Sequence, residues 1–332
     1  MSFAAVFSSL FTAIVLVVIL IGGYFLFATR RIASEAERLV PASGKFVTVD
    51  GNRIHYVDEG EGPPILFLHG LGAQLHHFRY PLFESFGAGY RLIALDRPGS
   101  GYSIRARGST GGLSEQARFI RRFCEETGIE KPLVVGHSLG GAIALALAVE
   151  HPEAISGVVL LSPLSHMFEE VPPEFKPLYI KNGAKRWLVS HTVAVPASLK
   201  NAEKTLNFVF GPQAIPKDYA IKGGGYAGLR PSHIFGTASD VVAVEHDLGR
   251  IEARYGEIDM PVGIMFGGSD RVLDHRVHGK MLAETIPNAE FELLEGVGHM
   301  PQYAEKTRVI AFIRRFADRV FGKISEKLPE NS

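Results

Sequence analysis

Hydrophobic and polar positions divide the chain into three regimes. From Met1 to Thr29 no charged side chain occurs, and Leu10–Phe27 reads LFTAIVLVVILIGGYFLF. A helix crossing the hydrocarbon core of a bilayer needs roughly 20 predominantly apolar residues. Ala4–Ala28 supplies that length, and Tyr24 and Phe25 near its end suit an interfacial aromatic belt. A buried helix of a water-soluble domain would be shorter and bordered by polar positions. A cleaved signal peptide would carry a basic leader, a shorter apolar core and a small-x-small cleavage site. Here only the α-amine precedes the span, and Leu26-Phe27-Ala28 lacks the first small residue. The pattern predicts an uncleaved membrane anchor over residues 1–30 and a linker over 31–44. Arg30, Arg31 and Arg38 follow the span, so the positive-inside rule places the rest of the chain in the cytoplasm.

From Lys45 the period changes. Phe46–Val49, the turn Asp50-Gly51-Asn52 and Arg53–Val57 read as a hairpin, and Ile65–Leu68 as a strand buried on both faces. Further short apolar runs follow at Leu92–Leu95, Leu133–Val135, Val158–Leu161, Val262–Phe266 and Phe291–Leu294. Between them lie helical patterns at Leu113–Thr127, Leu139–Glu150, Val272–Thr285 and Tyr303–Phe321. Such alternation predicts βαβ units and a mostly parallel sheet with helices on both faces. The rhythm lapses between Leu164 and Asp247. That stretch holds Pro172, Pro173, Pro177, Pro196, Pro212, Pro216 and Pro231 together with the sole tryptophan, Trp187. It reads as a mostly helical lid, residues 164–247, inserted into a core formed by 45–163 and 248–322. A short tail, 323–332, closes the chain.

Composition narrows the partners. Among 332 residues, 35 Lys and Arg balance 35 Asp and Glu, which leaves no basic footprint for nucleic acid. The single cysteine, Cys124, excludes an intramolecular disulfide and a multi-cysteine zinc site. It reads as a buried helix residue outside the chemistry.

The candidate chemistry begins where Leu133-Val134-Val135 runs into Gly136-His137-Ser138-Leu139-Gly140-Gly141 and an alanine-rich helix. This is G-x-S-x-G in a strand–turn–helix setting, where a strained turn lifts the serine hydroxyl above the sheet. His69-Gly70-Leu71-Gly72 follows the strand Ile65–Leu68 and suits an oxyanion loop. Leu71 and Leu139 are the expected N–H donors, with His69 in an orienting role beneath the loop. Gly267-Gly268-Ser269-Asp270 follows another strand, and Glu295-Gly296-Val297-Gly298-His299 the last one. Asp270 competes with Asp240 and Asp247 for the acid, but only Asp270 follows a clear strand. The order Ser138, Asp270, His299 is the serine–acid–histidine order that accompanies this motif.

The segments HGLG, DRPGSG, GHSLGG, GGSD and GVGHMP together resemble the α/β-hydrolase superfamily from Phe46 to Phe321, with residues 164–247 in place of its variable cap. The resemblance implies a serine ester hydrolase working through an acyl-enzyme, with no metal or organic cofactor. Relatives with an aspartate nucleophile, the epoxide hydrolases and haloalkane dehalogenases, are disfavoured by Ser138. The expected substrate is a small apolar, lipid-like ester such as a monoacylglycerol. Two alternatives remain: hydrolysis of a C–C bond in a meta-cleavage product by the same triad, and a catalytically silent fold used for binding.

Other motifs carry less. Gly223-x-Gly225-x-x-Gly228 matches a dinucleotide fingerprint in letters but follows no strand, so it reads as a lid loop. Gly99-Ser100-Gly101 reads as a tight loop near the site's rim. His275 and His278 read as a solvated helix face, as do Arg118, Arg121, Arg122, Arg314 and Arg315. His76 and His77 lie near the expected entrance without an assigned role.

Overall fold

A computed structural model describes residues 3–168 and 173–323. Pro172 of the expected lid and the tail beyond residue 323 lie outside the described residues. Helix α1 (Phe3–Leu39) leads into an eight-stranded sheet: β1 (Lys45–Val49), β2 (Asn52–Glu59), β3 (Pro64–Leu68), β4 (Arg91–Leu95), β5 (Leu133–His137), β6 (Gly157–Leu161), β7 (Val262–Gly267) and β8 (Ala289–Leu294). Their spatial order is β1-β2-β4-β3-β5-β6-β7-β8. The hairpin β1–β2 is antiparallel in register Val49↔Asn52, closed by Asp50 and Gly51 alone. Strand β2 pairs antiparallel with β4, and every later pairing is parallel.

Every residue of β5, β6 and β7 is buried. Their continuous apolar runs are explained by helices on both faces. On one face, α2 (Leu113–Thr127) and α3 (Leu139–Glu150) cover the sheet, with Phe123, Ile143 and Leu147 in the core. On the other, α7 (Lys306–Phe321) packs Ile313 and Phe316 against Phe67, Val135 and Met265. Cys124 is buried in α2, and burial pushes its thiol up to about 12, so it is not a reactive thiolate at neutral pH. The inserted segment contributes α4 (Gly183–His191), α5 (Ala194–Phe210) and α6 (Pro231–Glu252).

Several expected elements differ in extent. Helix α1 does not stop at residue 30: it continues through Ile32–Leu39, a segment read from sequence as linker. The buried Thr29, Ala33 and Ala36 recur at helical spacing and pack on the inserted segment, where Ala36 and Ile32 meet Val195, Leu229 and Ile234. Helix α6 crosses residue 247 and ends at Glu252. The helix expected at Val272–Thr285 becomes a wider π-helical turn, Arg276–Met281, followed by one turn at Leu282–Thr285. This turns His278, expected on a solvated face, into the interior, where its Nδ1 accepts from the Ser165 N–H at 3.2 Å. The helix expected from Tyr303 splits at Glu305 into Pro301–Ala304 and α7.

Candidate active site

Ser138 sits between β5 and α3 with φ 52° and ψ −120°, a backbone conformation that costs an L-residue free energy. The surroundings hold it there. The Ser138 N–H donates to Leu161 O at 3.1 Å, and Ser138 O accepts from Gly141 N at 2.9 Å and Leu164 N at 3.0 Å. Gly140 has to lack a side chain, because a Cβ there would collide with the Leu68 carbonyl. The loop after β3 comes just as near: a Cβ on Gly70 would stand 3.0 Å from Ser138 Cβ. Gly70, the neighbour of Leu71, thus stands against Ser138, while Leu139 follows Ser138 as the first residue of α3.

Asp270 and His299 are brought together. His299 Nδ1 donates to Asp270 Oδ2 at 2.7 Å, and both side chains are almost fully enclosed. The other carboxylate oxygen, Oδ1, accepts from Val272 N at 2.7 Å and Leu273 N at 3.0 Å. The two loops are stitched directly, Gly268 N to Leu294 O at 2.9 Å and Ser269 N to Val297 O at 2.8 Å. With its Nδ1 proton committed to the carboxylate, His299 keeps Nε2 as a lone-pair base. Of the competing acids, Asp240 is bound to arginines and Asp247 accepts from Ser114 N and Arg250.

Several residues that pattern reading passed over support this centre. His137, next to Ser138, donates through Nε2 to the His299 carbonyl at 2.8 Å. Burial holds it neutral, well below the usual histidine range. A polar residue at the end of a fully buried strand was its signal in the sequence. Arg97, in the DRPGSG segment read as a rim loop, is buried instead. Its guanidinium donates to His69 O and Gly70 O, both at 3.0 Å, and to Gln116 Oε1 at 2.7 Å and Asp240 Oδ2 at 2.8 Å. The Arg97 N–H donates to His69 Nε2 at 3.0 Å, so His69 carries its proton on Nδ1 and gives it to Gly70 O at 2.8 Å. The loop holding Gly70 and Leu71 therefore rests on a neutral His69 and a charged Arg97. Gln213, in the inserted segment, grips the His299 loop at both ends. Its Nε2 donates to Gly296 O at 2.8 Å, and its Oε1 accepts from Gly298 N at 2.9 Å.

A pocket of about 290 Å³ opens beside Met300, the neighbour of His299. Phe210, Ala214 and Pro216 of the inserted segment line it with Met300, Tyr303 and Ala304. His77 lies near it, bonded through Nε2 to the Tyr219 hydroxyl. The Gly223–Gly228 run leads into a short turn, Gly225–Leu229, and opens no βαβ unit. Among the described residues, no three His, Cys, Asp or Glu side chains gather into a group that could hold a metal ion.

Comparison with known proteins agrees with this architecture. A family model described as alpha/beta hydrolase fold matches residues 63–182. The chain is 31% identical over 278 residues to a 2-hydroxy-6-oxononadienedioate/2-hydroxy-6-oxononatrienedioate hydrolase of Paraburkholderia phymatum, across 80% of this chain and 93% of that protein. It is 42% identical over 125 residues to the dihydrolipoyllysine-residue acetyltransferase component of an acetoin cleaving system from Cupriavidus necator. That match takes in 37% of this chain and spans one third, 33%, of the relative. Among solved structures, a membrane phospholipase A described as a bacterial virulence factor superposes with a TM-score of 0.66 at 23% identity, over 95% of this chain and 100% of that one. At that identity the likeness is one of fold.

Proposed function

The chain belongs to the α/β-hydrolase fold family, and on that premise we propose that it is a membrane-anchored serine hydrolase cleaving carboxylic esters of apolar, lipid-like substrates. The observation that carries the reading is Ser138 on its strained turn, its neighbour His137 bonded to the His299 carbonyl at 2.8 Å and His299 bonded to Asp270 at 2.7 Å. Ser138 Oγ attacks the ester carbonyl carbon while His299 Nε2 takes its proton. Asp270 fixes the tautomer and stabilises the imidazolium. The N–H groups of Leu71 and Leu139 receive the oxyanion, an interaction whose loss typically costs about a hundred- to thousandfold in rate. His299 then protonates the leaving alcohol. Water, deprotonated by the same nitrogen, hydrolyses the acyl-enzyme and regenerates Ser138.

The apolar lining of the pocket beside Met300 supports an aliphatic or aromatic substrate group. Helix α1, whose most apolar stretch is wholly exposed, supports anchoring in a bilayer. The arginines after the span support a cytoplasmic catalytic domain. One observation favours a second reading: the Paraburkholderia relative, similar over nearly its whole length, is a hydrolase of a 2-hydroxy-6-oxo dienedioate, a C–C bond substrate. The same triad could serve that reaction.

A fluorophosphonate probe and p-nitrophenyl esters of graded chain length test the proposal. Expected are covalent labelling abolished by Ser138→Ala but retained in Ser162→Ala, and turnover that rises with acyl length. Labelling without turnover of any ester, together with cleavage of a vinylogous diketone, would establish the C–C reading. Folded protein that takes no label would mean a binding module.

A further inference from the structure

The described residues place an exposed apolar corner of the inserted segment at the mouth of the span. Residues 4–28 carry no charge, and at about 1.5 Å per residue they extend about 37 Å. The hydrocarbon core is about 30 Å thick. The stretch from Tyr24 onward therefore reaches the headgroup layer, and Arg30 and Arg31 follow at once. At that level α1 does not run free. The Thr29 hydroxyl donates to the carbonyl of Thr192, the first of the two residues joining α4 to α5. Four and seven residues further on, Ala33 and Ala36 are buried, Ala36 against Val195, while Arg230 pairs with Glu37 at 2.7 Å. The α4–α5 corner is thus fixed to the helix where the helix leaves the bilayer.

The same corner carries large apolar side chains that the described residues leave about half exposed or nearly so. Trp187 is 54% exposed and Leu188 56% exposed, one turn before Thr192, and Val193 directly after it is also exposed. Trp187 stacks on His191 with ring centroids 4.4 Å apart, which gives it an apolar face and a polar neighbour. That is the chemistry that enriches tryptophan at membrane interfaces.

We propose that the α4–α5 corner is seated in the headgroup–acyl boundary of the bilayer that holds α1, with Trp187, Leu188 and Val193 as its apolar anchors. This rests on the reading of α1 as a span. The corner and the pocket are two ends of one element, because α5 starts beside it at Ala194 and ends at Phe210 on the pocket wall. The bilayer is therefore also the source from which an apolar ester would reach the site.

Trp187 is the only tryptophan in the chain, so its fluorescence reports the corner alone. The full-length protein is reconstituted into phosphatidylcholine vesicles with and without lipids brominated near the top of the acyl chain. Expected are flotation with the vesicles, strong quenching of Trp187 by the brominated lipid, and protection from aqueous iodide. Leu188→Glu and Val193→Glu should lower hydrolysis of a vesicle-borne long-chain ester by about tenfold or more, the scale of withdrawing one large apolar side chain from an apolar phase. Hydrolysis of a soluble short-chain ester should stay unchanged. Vesicle-bound protein whose Trp187 is open to iodide and unquenched by bromolipid would overturn the docking while leaving the span intact. Protection from both quenchers would identify a second copy as the occupant and also overturn it. Failure to float would remove the span reading, and the docking with it.

Discussion

Asp270 divides its two oxygens between two tasks. Oδ1 accepts two backbone N–H groups of the turn that follows, and Oδ2 holds His299. A turn-capping aspartate and an orienting acid look alike in a sequence, and here one residue has both bonding patterns. The division makes Asp270→Asn informative. An asparagine can keep the Oδ1 bonds to Val272 and Leu273, but it presents an NH₂ group to His299 Nδ1. The imidazole must then carry its proton on Nε2, where the proposed mechanism needs a lone pair. The expected outcome is a loss of about four orders of magnitude in kcat, with thermal unfolding little changed. A fall in melting temperature alongside a small rate loss would show that the carboxylate acts through the turn instead. Ser138, Asp270 and His299 were legible as candidates because each stands in a short glycine-bracketed motif at a strand end. His137 was less so, since the donor role of its Nε2 depends on a carbonyl 162 residues away.

The elements that pattern reading placed well are those whose burial is local. Strands β5 to β7 are apolar at nearly every position, and α2 keeps its buried face at helical spacing. The elements it misplaced answer to distant partners. Ile32–Leu39 reads as linker until Val195 and Ile234 are set against it. The turn Arg276–Met281 widens where Gly279 lies against Phe266 and Phe291, leaving no room for a side chain. The clearest long-range case joins the loop after β4 to α6, where Arg97 meets Asp240 across 143 residues with both side chains 1% exposed. Asp240 also pairs with Arg105. Asp240→Ala would leave the Arg97 charge buried without its carboxylate. Removing one partner of a buried pair costs about 3–5 kcal/mol. Chemical denaturation should show that loss. Because Arg97 also donates to Gly70 O, ester turnover should fall further than the stability change alone would require. A variant with wild-type stability would mean that Arg97 gains a new partner or reaches water.

Acid should unfold the whole molecule earlier than its balanced charge suggests. Burial pushes His77 down to about 3, and His233 and His278 down to about 4. All three are buried, and each has a partner suited to the neutral ring: the Tyr219 hydroxyl for His77, the Gly101 N–H for His233 and the Ser165 N–H for His278. In the unfolded chain each titrates near pH 6.5. The folded state therefore binds fewer protons than the unfolded state between those values, and stability falls as pH drops through that window. It is at its full level above about 6.5. Below that, each such histidine removes about 1.4 kcal/mol per pH unit until its folded value is reached. Over the whole window the three together carry about 12 kcal/mol, comparable with the 5–15 kcal/mol that holds a typical domain. Urea unfolding followed from pH 7.5 to pH 4.5 should show stability flat at the upper end and declining steeply below 6.5. His278→Gln should reduce that slope by about one proton, whatever it does to stability at neutral pH. A slope unchanged by the substitution would mean that His278 is already protonated in the fold, with Nδ1 donating rather than accepting, which the bond from the Ser165 N–H forbids.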